Sequence, residues 1–193
     1  AYTLGGVATV DNFDGHVETD GDFAYGIYAY GFAGVNVGNG SNTVITSGYS
    51  AVGIFGFSAG DYVFIDSGTV ITSGDNSPGI VGISLADYVE IHSDYVDTAG
   101  NNSDGIYAYA FGDAYVESFS VDTLGDNSSG IEIYSFLGNA TVFCTDKTGT
   151  LTVGALRLTD AIGPDGAPSS LPLAWARHCV DADAQGVATT PMD

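Results

Sequence analysis

A glycine, four mostly polar residues, a second glycine and then an apolar run recur five times along this chain. The glycine pairs are Gly21/Gly26, Gly48/Gly53, Gly74/Gly79, Gly100/Gly105 and Gly125/Gly130. Isoleucine follows each second glycine, as Ile27, Ile54, Ile80, Ile106 and Ile131, at steps of 27, 26, 26 and 25 residues. A near-constant period of that length marks a stacked repeat, whose units bury their apolar sides against one another. The chain is therefore read as a solenoid before anything else.

Each copy divides into three short extended pieces. The first follows the Gly-Ile step, as at 54–58 and 106–111; the second follows a Gly/Ala-Asp or similar turn, as at 62–65, 88–91, 115–118 and 140–143. The third precedes the next glycine, as at 43–46, 69–72, 95–98 and 120–123. All are rich in β-branched and aromatic residues and are bounded by Gly, Asp, Asn or Ser, the pattern of strands between turns. No helical period or helix cap interrupts them. Three strands per repeat, each pairing with its copy one repeat on, make a parallel β-helix; with coils ~4.8 Å apart, five of them stand ~25 Å tall. The corner glycines answer a need for positive φ or for close packing.

Alternation within the first strand then assigns faces. If the isoleucines and Ala108 point inward, the neighbouring residues point outward. Two outer ladders result: Tyr28, Phe55, Val81, Tyr107, Glu132 and Tyr30, Phe57, Ile83, Tyr109, Tyr134. They form a mostly aromatic strip, and exposed apolar strips mark contact surfaces. The candidate interaction surface is Tyr28, Tyr30, Phe55, Phe57, Tyr107, Tyr109 and Tyr134.

The organisation that follows is a partial first coil at 1–20, coils over 21–155, and a segment at 156–193 without the repeat. Residues 163–193 hold four of the five prolines, and the segment reads as a cap over the coil end or as an arm linking subunits.

Charge narrows the partners. Among 193 residues, 24 are Asp or Glu and 3 are Lys or Arg, a net charge of −21, and no Lys or Arg precedes Lys147. Such a surface repels nucleic acid and anionic lipid. No apolar run has the length of a bilayer span, so membrane insertion is not expected. Cys144 and Cys179 are two free thiols in a reducing compartment or a candidate disulfide in an oxidising one. The secreted reading is favoured, and Ala1 suits the first residue after signal cleavage.

Few residues suggest chemistry. Asp75/Asn76, Asn101/Asn102 and Asp126/Asn127 stack at the corner, and their oxygens make Asp75 and Asp126 weak Ca²⁺ candidates. The competing account is a hydrogen-bonded side-chain ladder, and no other cofactor is expected. Glu90 and Glu117, drawn one coil apart on one ladder, resemble an acid pair for cleaving polysaccharide, though solvated surface carboxylates look the same. Near-absence of Lys and Arg removes the usual lyase base. His16, His92 and His178 show no ligand or triad spacing, so no catalytic residue is assigned and no enzyme is expected.

The repeats at residues 70–80 (VITSGDNSPGI) and 121–131 (VDTLGDNSSGI) resemble passenger domains of bacterial autotransporters and filamentous-haemagglutinin-type proteins, over roughly 15–155. The resemblance implies a right-handed β-helix exported to the cell surface. The chain departs from that family in its shortness and in having no translocator barrel. A fragment of a longer passenger, or a small secreted protein that gains length by stacking, would both account for this. A second stretch, Cys144-Thr-Asp146-Lys147-Thr148-Gly149-Thr150, is similar to the phosphorylation motif of P-type ATPases, where the residue matching Asp146 accepts phosphate. The repeat accounts for it more simply: Gly149-Thr150-Leu151 echoes Gly68-Thr69-Val70 three periods earlier.

The expectation is a non-enzymatic extracellular or cell-surface protein, the β-helical building block of a self-assembling filament whose coils stack end to end through their open strand edges. The alternative is an adhesin that grips glycans or a neighbouring cell with its aromatic strip. A polysaccharide-active enzyme ranks third.

Overall fold

A computed structural model describes residues 1–13 and 15–144. Among the described residues every helix or strand is a strand, and all strand pairs are parallel. Sheet A stacks β1 (Tyr2–Thr3), β4 (Ile27–Gly31), β6 (Ile54–Ser58), β8 (Ile80–Ser84), β10 (Ile106–Ala110) and β12 (Ile131–Ser135) in that order. Sheet B begins with β2 (Ala8–Asp11) and β3 (Val17–Thr19) side by side on β5 (Val35–Thr46). It continues through β7 (Val63–Thr72), β9 (Val89–Thr98), β11 (Ala114–Thr123) and β13 (Ala140–Cys144). This is the parallel β-helix that the period requires.

The coil spacing now has a local explanation. The glycine corner has the same length in every copy, so variation falls elsewhere. Thr46 and Ile54 are as far apart as Thr72 and Ile80. The 27-residue step holds an enlarged β5, whose pairing with β7 slips between Gly38 and Thr43, with Gly40 at φ +52°. A bulge lets one strand carry extra residues without moving its neighbours. The 25-residue step has three residues, 111–113, between β10 and β11, where 59–62 and 85–88 are four. The register of the flanking strands is kept in both cases.

Pieces two and three of each full coil run together. β7, β9 and β11 are single ten-residue strands that bend midway, where inward alternation slips by one. In β7, Val63, Ile65 and Ser67 face in, and after the bend Val70 and Thr72 do. Only in the first coil are the two pieces separate strands.

The interior is a set of ladders. Ile54, Ile80 and Ile106 have no exposure, and Ile27 is 6% exposed. Val63/Val89, Ile65/Ile91 and Val70/Val96 fill the other walls, each fully or almost fully buried. Buried side-chain hydroxyls are satisfied by one another and by the turns. Thr46, Thr72 and Thr98 donate to the carbonyls of Ala51, Ser77 and Ser103 at 2.6, 2.6 and 2.8 Å. At the bend Asn12, Asn39 and Ser67 are linked in a chain of 2.7 and 3.2 Å bonds, and Ser93 donates to Ser118 at 2.9 Å. Among the described residues no buried side-chain polar atom lacks a partner, as a fold with water excluded from its axis demands.

The corner divides its labour differently from the sequence expectation. Positive φ belongs to the second residue after the first glycine: Phe23, Ser50, Asn76, Asn102 and Asn127, at 52° to 59°. The glycines are there for space. A Cβ on Gly100 would strike the Gly74 carbonyl, and one on Gly105 would strike Val121 and the Gly130 carbonyl of the next coil. The Cys144–Cys179 pairing, the segment from Asp146 onward and the 156–193 arm lie outside the described residues.

Candidate interaction surface

Sheet A places the seven aromatic residues singled out above on one outer face. Its register pairs Tyr28 with Phe55, Phe55 with Val81, Val81 with Tyr107 and Tyr107 with Glu132. The second ladder runs Tyr30, Phe57, Ile83, Tyr109, Tyr134 in the same way. Tyr28 and Tyr134 are 41% and 49% exposed, and the others are half-buried against one another.

The rings are ordered by the coil spacing. Tyr28 stacks on Phe55 at 5.3 Å and 7°, and Tyr30 on Phe57 at 5.2 Å and 8°. Tyr2 of β1 extends the second file, 5.0 Å from Tyr30, and Tyr25 meets Tyr28 and Phe55 edge-on. Parallel in-register strands set like side chains one coil apart, close to the offset-stacking distance of aromatic rings. The aliphatic rung of Val81 and Ile83 interrupts the files. Beyond it the rings are tilted: Tyr134 lies 5.9 Å from Tyr107 at 50° and 6.4 Å from Tyr109 at 43°. Ring faces that the first half covers are partly open here.

A third file escaped the sequence reading. Backbone bonds from Ala59, Leu85, Phe111 and Phe136 to the coil before place Phe32, Ala59, Leu85, Phe111 and Phe136 in one ladder. Phe32 and Phe136 are 54% and 69% exposed, and Phe111 stacks on Phe136 at 5.5 Å. They continue the outward alternation two residues past Tyr30 and Tyr109. Following that period past the strand ends would have found them.

Charge separates this face from the rest. β4, β6, β8 and β10 contain no Asp, Glu, His, Lys or Arg, in a chain with 24 acidic residues. Glu132 on β12 is the first carboxylate on the face, and the Tyr134 hydroxyl donates to it. Partial burial, then Glu132, Tyr109 and Asp104, push the Tyr107 phenol above its ordinary range. No family model, curated protein or solved structure matches the chain. The residues alone carry the functional reading.

Sheet B is the acidic wall. Glu90 and Glu117 do not share a ladder: Glu90 pairs with Tyr115, and Glu117 with His92. The copies are 25 residues apart here, so a 27-residue offset falls two positions out of register. His92 brings them near each other, with Nε2 2.8 Å from Glu90 and Nδ1 3.4 Å from Glu117. Its ring also sits between Phe64 and Tyr115, at 5.8 and 5.6 Å. Two open clefts of about 410 and 450 Å³ flank it, one bordered by Asp66, Asp94 and Phe119 and the other by Tyr88, Glu90 and Asp113. His16 lies 3.3 Å from Glu18, and His178 lies outside the described residues.

The corner carboxylates act as backbone acceptors. Asp75 Oδ1 takes the Asn101 amide at 2.8 Å, and Asn101 Oδ1 takes the Asp126 amide at 2.9 Å. Among the described residues no three His, Cys, Asp or Glu side chains converge as a metal site would.

Proposed function

We propose that this chain is a non-enzymatic, extracellular structural protein, a β-helical building block that assembles with copies of itself through the outer face of sheet A. The observation that carries this is the four consecutive strands without a charge on an otherwise acidic chain. Two identical bodies of net charge −21 repel wherever carboxylates meet. They can approach where none stands. Apolar burial over Tyr28, Phe57, Tyr109, Phe111 and their neighbours then supplies the attraction. The geometry supports side-by-side contact more than end-to-end stacking, because the first-coil edge carries Asp11, Glu18 and Asp20. Filaments would then grow by overlap of these faces.

Light scattering over a concentration series, with negative-stain images, tests the idea. Growth of scattering and of elongated particles is expected. Phe57→Glu and Tyr109→Glu should each weaken association about tenfold or more while leaving the β-sheet circular dichroism intact, since each buries an unpaired carboxylate at the joint. A wild-type chain that stays monomeric throughout ends the proposal.

A second reading is an adhesin whose face grips glycans. The tilt of Tyr107, Tyr109 and Tyr134 favours it, because sugars pack on open ring faces. A glycan array showing binding lost with Tyr107→Ala and Tyr109→Ala, but kept in Phe57→Glu, would select this reading over self-assembly.

A further inference from the structure

The loop ahead of each sheet B strand carries its own ladder. Val35, Val63 and Val89 donate to the carbonyls of Tyr62, Tyr88 and Asp113, which puts Gly34, Tyr62, Tyr88 and Asp113 in file. Gly34, at φ +126°, leaves room for the Tyr62 ring: a Cβ there would lie 2.9 Å from it. Tyr62 is thus seated on Gly34 on one side and on Tyr88 on the other. The two tyrosine rings are 5.4 Å apart and within 11° of parallel, and both are half-buried.

We propose that Tyr62 and Tyr88 are a site of oxidative coupling, which staples two neighbouring coils through a carbon–carbon bond between their rings. Both rings leave equivalent positions of in-register loops one coil apart, and they lie face to face. Coupling requires the side chains to rotate about their χ1 and χ2 bonds until one ortho carbon of each ring meets the other. The co-reactant is hydrogen peroxide acting through a peroxidase. Each phenol loses one electron and its hydroxyl proton. The two phenoxyl radicals join at carbons ortho to the oxygens, and the two displaced ring hydrogens return to those oxygens as the rings regain aromaticity. Peroxide takes the two electrons and two protons and leaves as two waters.

Most other near-parallel stacks cannot do this. Tyr28–Phe55 and Tyr30–Phe57 each lack a second phenol, and Phe111–Phe136 lacks both. Tyr107–Tyr134 is wider, at 5.9 Å, and tilted by 50°. Tyr2–Tyr30, at 5.0 Å and 23°, is the one further stacked phenol pair among the described residues and should couple in the same way. The staple closes a loop of one coil, and such a cross-link stabilises by restricting the unfolded chain.

The test is treatment of the dilute full chain with peroxidase and peroxide, then digestion with an acid-specific protease, because no Lys or Arg precedes Lys147. Dityrosine fluorescence is expected, with a cross-linked peptide joining Tyr62 to Tyr88 as a principal product and a raised Tm. Tyr62→Phe and Tyr88→Phe keep the stack, and each should abolish that peptide. The proposal is overturned if the same peptide forms no more readily in the folded chain than in the chain unfolded in urea. It is equally overturned if coupling occurs only between molecules or not at all.

Discussion

Asp97 and Asp122 stand directly opposite each other on β9 and β11, two like charges one coil apart. Burial and then the Asp122 charge push the Asp97 carboxyl above its ordinary value of 3.8. The folded chain therefore holds this proton more tightly than the unfolded chain. Stability from this site falls as pH rises from 3.8 through the raised value, and stays lower above it. Asp97→Asn should raise Tm at neutral pH, and the advantage should vanish well below pH 3.8, where the wild-type carboxyl is neutral in both states. Thermal melts across that range decide it. An advantage that does not change with pH would mean that packing, not charge, is at work. The corner shows what single residues reveal in advance. Asn76, Asn102 and Asn127 suit a left-handed backbone, but Phe23 and Ser50 occupy the same position with no such preference. Each is held there by the next coil: Phe23 donates to the Tyr49 carbonyl at 2.8 Å and Ser50 to the Asp75 carbonyl at 2.9 Å.

At the scale of the element, the bent strand is the unit that matters. Its inner corner is closed by Asn39, Ser67, Ser93 and Ser118, all buried. Ser118→Ala would take its acceptor from the hydroxyl of Ser93, a buried residue at the edge of one cleft. A loss of about 1–3 kcal/mol is expected in urea unfolding, the usual cost of stranding a buried polar group. No loss would show that the bend is held by its backbone pairing alone. The serines also explain why the strand was read as two pieces. Ser and Asp mark turns in a sequence, and only the neighbouring coils, which supply both main-chain and hydroxyl partners, keep the chain extended through them. The offset of Glu90 from Glu117 has a related cause. Tyr-Val-Glu occurs at both 88–90 and 115–117 and invites alignment, but the neighbouring coil pairs Val89 with Ala114, which sets the second copy two positions further along.

For the whole molecule, the segregation of charge sets the terms of association. Among the described residues sheet B, the corners and the turns carry the acids, and sheet A carries almost none. If copies meet through sheet A, salt should strengthen the contact, because repulsion between distant carboxylates is screened beyond ~10 Å at 0.1 M while apolar burial is not weakened. Scattering measured from low salt to about 0.5 M should rise. A fall would mean that ion pairs hold the copies together. Solenoid stability is also nearly additive along the axis, so a break in one coil is expected to propagate only to its neighbours.

The repeat period, the inward isoleucines and the outward aromatic ladders were legible in the residues because coil stacking turns a linear period into a spatial one. The absence of charge from four strands is likewise a property of the sequence. What only the tertiary structure decided is which positions of neighbouring coils face each other. The register that puts His92 between Glu90 and Glu117, and the near-parallel stacking of Tyr62 on Tyr88, arise from contacts a full coil apart. Reading along the chain aligns Tyr88-Val-Glu with Tyr115-Val-Glu, whereas backbone pairing aligns Val89 with Ala114, so like strings end on different rungs.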